Sequence, residues 1–140
     1  MKELTLADFP VRTYDKVRYA DTDRQGHVNN AVFSNFLETG RVEILYNPDY
    51  PFITGKNSFV IASMKLEYLK EINWPGLVET GTAVLRAGNS SITFFQMLFQ
   101  NGICVAKAET VIVNVDNLTN KSSAIDQKAK DVLNQWIIQI

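Results

Sequence analysis

The stretch Asp21-Thr-Asp-Arg-Gln-Gly-His-Val-Asn-Asn30 runs straight into Ala31-Val-Phe-Ser-Asn-Phe-Leu-Glu-Thr-Gly-Arg-Val-Glu-Ile-Leu45, and this junction sets how the rest of the chain must fold. Val32, Phe33, Phe36, Leu37, Ile44 and Leu45 recur at spacings of three, four and their multiples, which predicts a helix. Asn29 or Asn30 suits its N-cap, because an asparagine oxygen can accept from an unpaired backbone N–H two or three residues on. Asn47-Pro48 ends the helix, since the residue before a proline avoids the helical region. The apolar arc is wide and rich in aromatic rings, so this helix is expected to be buried.

The flanking sequence reads as strands. Upstream, Arg12–Ala20 alternates, with Val17 and Tyr19 on one side and Lys16 and Arg18 on the other. Downstream, Ser58–Leu69 alternates Val60, Ala62, Met64, Leu66 and Tyr68 against Phe59, Ile61, Ser63, Lys65 and Glu67. Leu77–Ala87, Ile92–Gln100 and Ile103–Val115 are further strands, the last carrying Val105, Val111, Val113 and Val115 in register. Asn101-Gly102 between two of them predicts a type I′ hairpin, because both residues tolerate positive φ. After the turn-rich Asn117–Ser123 comes a closing amphipathic helix with Ile125, Ala129, Val132, Leu133 and Trp136 on one face.

Antiparallel strands that follow a helix, rather than alternating with helices, define an α+β class. A single sheet must cover one apolar face, and curling around the helix is the simplest solution. Ser58–Leu69 would then be an edge strand. Pairing with a second copy protects such an edge, which predicts a homodimer; a monomer with a solvated edge is the alternative.

Composition narrows the function classes. The 140 residues suit one domain spanning 1–140, with no repeat or dividing linker. Fourteen basic against 15 acidic residues give a net charge of −1, so nothing draws the chain towards nucleic acid. One cysteine cannot close an internal disulfide, and Cys104 alternates within a strand as a buried apolar residue. One histidine leaves no usual metal site, although Asp21, Asp23 and His27 share a loop. No apolar run spans a membrane, and the first ten residues lack a signal-peptide core. A cytoplasmic protein without cofactor or metal is expected.

The loop before the long helix carries the chemistry. It holds two carboxylates, the histidine and two carboxamides within ten residues, and Gly26 permits a tight backbone. One reading is a polar loop with a capping asparagine. The other is catalytic. Unpaired N–H groups and aligned peptide dipoles at a helix start can polarise a carbonyl and stabilise its oxyanion. Asp23, seven residues before Asn30, could lie across the same carbonyl carbon and direct a water or attack as a nucleophile. His27 is the better-matched base by intrinsic pKa, and the residues alone do not divide the work between them.

Asp21-Thr22-Asp23, then Gly26-His27-Val28-Asn29-Asn30, then Phe36, Leu37, Glu38 and Arg41 resemble the hotdog-fold acyl-CoA thioesterases, closest to the 4-hydroxybenzoyl-CoA thioesterase-like branch with a His-Val-Asn-Asn motif. The likeness covers nearly the whole chain. Ile61–Pro75 resembles the family's second strand and following turn, Asn89-Ser90-Ser91 a small-residue turn, and Asn114-Val115-Asp116 the end of the last strand.

The resemblance implies a curved antiparallel sheet wrapped around a long central helix. It places Asp23 on the family's catalytic carboxylate, Gly26 on the motif's turn glycine, and the Asn30 backbone N–H on the donor that polarises the thioester carbonyl. The related plant acyl-carrier-protein thioesterases place an asparagine and a histidine two and four residues after the aspartate, where this chain has Gln25 and His27. Family members build the active site across a dimer interface and often pair dimers into tetramers.

The implied activity is hydrolysis of an acyl-CoA to free acid and CoA, using water and no cofactor. Acyl-pocket residues are expected among Phe33, Phe36, Phe59, Ile61 and Ser63. Lys65, Lys70, Arg86 and Lys107 could meet a CoA phosphate as point charges, with Lys70 the chosen candidate. Glu38 and Arg41, three apart, are expected to pair with each other. Two other activities suit the same fold: dehydration or hydration of a hydroxyacyl thioester by an Asp23–His27 pair, and non-catalytic binding of an acyl-CoA.

Overall fold

A computed structural model describes residues 3–140. Five strands, β1 (Val11–Lys16), β2 (Asn57–Tyr68), β3 (Leu77–Ala87), β4 (Ser91–Gln100) and β5 (Ile103–Asp116), form one antiparallel sheet in the order β1-β3-β4-β5-β2. The long helix α1 (Phe33–Leu45) lies across its inner face, and a short helix α2 (Gln127–Asn134) closes one end. The order puts β1 and β2 at the two edges.

Burial explains the central position of β4. Its inward residues Ile92, Phe94, Gln96 and Leu98 lie under α1, while Phe95, Met97 and Phe99 form a second, outer cluster with Phe9. A strand covered on both faces reads as a continuous apolar run, and β4 does. The β4–β5 turn is the expected hairpin: Asn101 has φ 52° and Gly102 φ 77°.

Two local expectations change. The upstream strand ends at Lys16, and Tyr19–Asp21 forms a 3-10 turn, because the Asp21 carboxylate accepts from the Arg18 backbone N–H (2.8 Å) and turns the chain. In β2 the simple alternation fails. Ile61 pairs with Ile112, but Ser63 pairs with Val111, so Ala62 is an extra residue in a β-bulge. Phe59 and Ile61 therefore share the inner face with Met64, Leu66 and Tyr68, and Ser63 turns outward with Lys65 and Glu67.

The helix sits very close to the sheet at Gly40. A Cβ there would run into Thr82 Oγ1, and would lie 2.7 Å from Gln96 Nε2 and 2.9 Å from Thr80 Cγ2. The fully buried Gln96 donates to the helical Leu37 carbonyl (2.8 Å) and to Thr82 Oγ1 (3.0 Å), and accepts from Arg41 Nη1 (3.2 Å). Arg41 thus points inward to Gln96, and among the described residues no Glu38–Arg41 ion pair forms. Its position on the helix, one turn on from Leu37, faces the sheet. Burial lowers the Arg41 pKa, and the nearby Glu38 charge opposes that shift.

Gly40→Ala should lower the urea midpoint by the equivalent of about 2 kcal/mol, from overpacking against β3 and β4. Alanine's better helix propensity, about 1 kcal/mol, acts the other way. A midpoint at or above wild type would mean that the helix does not press on the sheet at this residue.

Candidate functional site

Residues 21–29 fold back on themselves as a miniature hairpin. Asn29 N–H donates to the Asp21 carbonyl (2.8 Å), Thr22 pairs with Val28, and Asp23 N–H donates to the His27 carbonyl (2.8 Å). Gly26, at φ 82°, lets the tip close. Asp23 Oδ1 accepts from the backbone N–H groups of Gln25 (2.8 Å) and His27 (3.3 Å), so the carboxylate is held over the turn. Among the described residues Asp23 Oδ2 makes no hydrogen bond. Asp21 is buried and accepts the Arg18 guanidinium at 2.9 and 3.2 Å, which makes it the anchor of the loop.

The chain after β2 runs beside this loop and fixes it to the sheet. Val28 N–H donates to the Ile72 carbonyl (2.8 Å), and His27 pairs with Asn73. Gln100 clamps Asn73 through two hydrogen bonds of 2.9 Å, one to its N–H and one from the amide to its carbonyl. His27 Nε2 lies 3.1 Å from Glu71 Oε2, with both side chains partly exposed. Lys70, Glu71, Asn73 and Gln100 line a groove of about 360 Å³ beside that pair.

The helix does not begin at the asparagines directly. Asn30–Val32 is a 3-10 turn that continues into α1, capped by the Asn29 side chain, which accepts from Ala31 N–H (2.9 Å). The Asn29 carbonyl accepts from Val32 N–H (2.9 Å). Among the described residues the Asn30 N–H has no hydrogen-bond partner, and Asn30 is an exposed residue. The Tyr68 hydroxyl donates to the Asn30 carbonyl (3.1 Å), and the Tyr68 ring meets Phe33 edge-on at 5.0 Å.

The fold therefore brings Asp23, Gln25, His27 and Asn30 into one loop at one end of α1. Of the expected acyl-pocket residues, Phe33 and Phe36 lie at that end, but both are buried core. Phe59 packs with Ile44, Leu45 and Phe52 at the far end of the helix, and nine residues of strand separate it from Tyr68, about 30 Å. Ser63 is on the outer face. Lys65 stands beside Glu67 (3.7 Å), and Lys70 lines the groove by His27.

Cys104 is half-buried with its thiol against the Ala106 carbonyl, and burial raises its pKa, the opposite of what a nucleophile needs. Asp21, Asp23 and His27 are tied to separate partners, and no three His, Cys, Asp or Glu residues converge as a metal site among the described residues. Sequence reasoning missed Glu71 and Tyr68. The strand pattern gave Tyr68 a face, but only the fold shows that its hydroxyl reaches the helix start.

Residues 17–137 match the family model of the thioesterase-like superfamily, and the chain belongs to that family. Among its relatives is the acyl-CoA thioester hydrolase YbgC of Escherichia coli O6:H1, 29% identical over 125 residues that cover 86% of this chain and 90% of the relative. The structure of a predicted thioesterase from Bacillus stearothermophilus superposes with a TM-score of 0.84 at 30% identity, covering 93% of this chain and 98% of the other. A thioesterase from Thermus thermophilus, solved in complex with coenzyme A and zinc, superposes with a TM-score of 0.80 at 30% identity over 92% of this chain and 95% of its own. The sheet wrapped on one long helix is the thioesterase hotdog fold.

Asp15, on the inner face of β1, gives the site's surroundings a pH signature. Burial raises its pKa above 3.8, Thr39 opposes this through a hydrogen bond, and the Asp21 charge adds to the rise. Its Oδ2 is buried without a partner. A carboxyl whose folded pKa is raised binds protons more tightly in the folded state, so ionisation destabilises the fold as pH rises through that pKa. Asp15→Asn should accordingly raise the urea midpoint at pH 7 and lose that advantage below about pH 4. An equal gain at pH 3 would show that the charge is not the cause.

Proposed function

We propose that the protein is an acyl-CoA thioesterase whose hydrolytic site is the turn between Asp23 and Asn30. The observation that carries the placement is the unpaired N–H of the exposed Asn30 at the head of the turn that continues as α1, with the Asp23 carboxylate fixed in the loop before it. The thioester carbonyl oxygen accepts from the Asn30 N–H, and the dipoles of the turn and α1 favour the negative charge that develops there. Asp23 Oδ2 directs a water onto the carbonyl carbon, or attacks it to give an anhydride that water then cleaves. In either case a C–O bond forms and the C–S bond breaks. CoA leaves as thiolate and takes a proton, and the acid leaves as carboxylate. Gln25 helps to hold the water, and His27, steadied by Glu71, relays the proton.

The site is completed by a second copy. β2 is an edge strand carrying exposed Val60 and Ile61, an apolar edge that a solvated monomer would have to leave open. Two β2 strands paired antiparallel about a two-fold axis bring the Phe59–Ile61 end of one copy towards the Leu66–Tyr68 end of the other. That arrangement supplies the acyl pocket that one chain lacks, and pairing of such dimers gives the tetramer. Lys70, on the groove by His27, meets a CoA phosphate. No helix among the described residues is long and apolar enough to cross a membrane, and a cytoplasmic location fits a CoA substrate.

The test is thiol release from a panel of acyl-CoA substrates of varied chain length. Asp23→Asn should lower kcat by about 100-fold or more and His27→Ala by a smaller factor. Asn30→Ala should stay near wild type, because its donor is main chain. Wild-type rates in both Asp23→Asn and His27→Ala would move the site elsewhere. In light scattering the wild type should exceed the 15.8 kDa of one chain, and Ile61→Lys should shift it towards monomer with loss of activity. A fully active monomer would remove the second copy from the site.

A further inference from the structure

The Asn30 donor is useful only if the turn that carries it keeps one orientation, yet that turn is exposed and its own cap reaches only Ala31 and Val32. The restraint from outside the turn is the Tyr68 hydroxyl, which donates to the Asn30 carbonyl at 3.1 Å. That carbonyl also accepts the Phe33 N–H, the first α-helical N–H. Both acceptor directions of the Asn30 carbonyl are thus occupied, which fixes the peptide that follows the donor. The Tyr68 ring is itself located by its edge-on contact with Phe33, the first residue of α1.

We infer that Tyr68 is a positioning residue for thioester hydrolysis: its hydroxyl holds the Asn30 turn so that the N–H points at the thioester oxygen. This rests on the reading of Asn30 as the oxyanion donor. Tyr68 touches neither water nor scissile bond in this role; it acts through the main chain of Asn30. Because it is the last residue of the edge strand β2, it also ties the strand that a second copy would cover to the group that stabilises the oxyanion.

Tyr68→Phe keeps the ring against Phe33 and removes only the hydroxyl. It should lower kcat by about 5- to 10-fold, the size of one neutral hydrogen bond, with KM and the thermal midpoint unchanged. Tyr68→Leu, which also loses the ring contact, should lower the midpoint as well. Asp23→Asn is assayed alongside with the same acyl-CoA. If Asp23→Asn abolishes turnover while Tyr68→Phe keeps wild-type kcat, the Tyr68 inference is wrong and the site stands. If Asp23→Asn itself has no effect, the reading of the site fails first. A Tyr68→Phe loss that appears in KM or stability alone assigns the residue a binding or structural role and overturns the inference.

Discussion

The close approach of α1 to the sheet at Gly40 is the constraint on which the remaining geometry depends. A helix backbone can lie this near a sheet only where a side chain is missing, and Gln96 fills the contact by donating to the Leu37 carbonyl. This polar contact lies between two apolar clusters, one around Phe33, Phe36 and Leu37 and the other around Ile44 and Leu45. The helix is thereby fixed in height and in position along its axis. Its first turn, with the Asn30 donor, inherits that fixed position. In the proposed reaction an oxyanion donor has to be correct to a fraction of an ångström, and the Asn30 N–H would owe its position to a contact ten residues away in the core.

The loop before the helix is built differently. Its main chain is restrained because most of its N–H groups are used: Asn29 on Asp21, Asp23 on His27, Val28 on Ile72. Its side chains divide between the exposed Asp23 and Gln25 and the buried Asp21. Asp21 and Asp23 illustrate the division, being two residues apart and opposite in role. Asp21 is sunk against Arg18 and shapes the turn, whereas Asp23 keeps one oxygen on the backbone and the other free.

Much of this was legible in the sequence. The 3.6 period from Val32 to Leu45, the Asn101-Gly102 turn and the long alternation of β5 each use a local signal that the fold preserved. The loop was legible because residue types that cap, turn and ionise are crowded there. What stayed hidden depends on contacts distant in sequence. Arg41 reads as a surface partner of Glu38 until the sheet residue Gln96, 55 positions on, draws it inward. Glu71 and Tyr68 gain their relation to the site only when the chain after β2 is laid against residues 27–30. The bulge at Ala62 inserts an ordinary small residue without a glycine or proline to mark it, so strict alternation grouped Phe59 and Ile61 with Ser63, Lys65 and Glu67 instead of with Met64, Leu66 and Tyr68.

That bulge also bears on how the chain can change over time. Loops usually absorb a gained or lost residue with little effect, but β2 is out of step with itself by one position at Ala62. Removing Ala62 would restore strict alternation and leave Phe59, Ile61, Met64, Leu66 and Tyr68 on the inner face, whereas removing a residue elsewhere in the strand would turn part of that set towards solvent. Ala62 is therefore the position at which β2 can lose a residue and still keep its inner face, while the rest of the strand is held to its length.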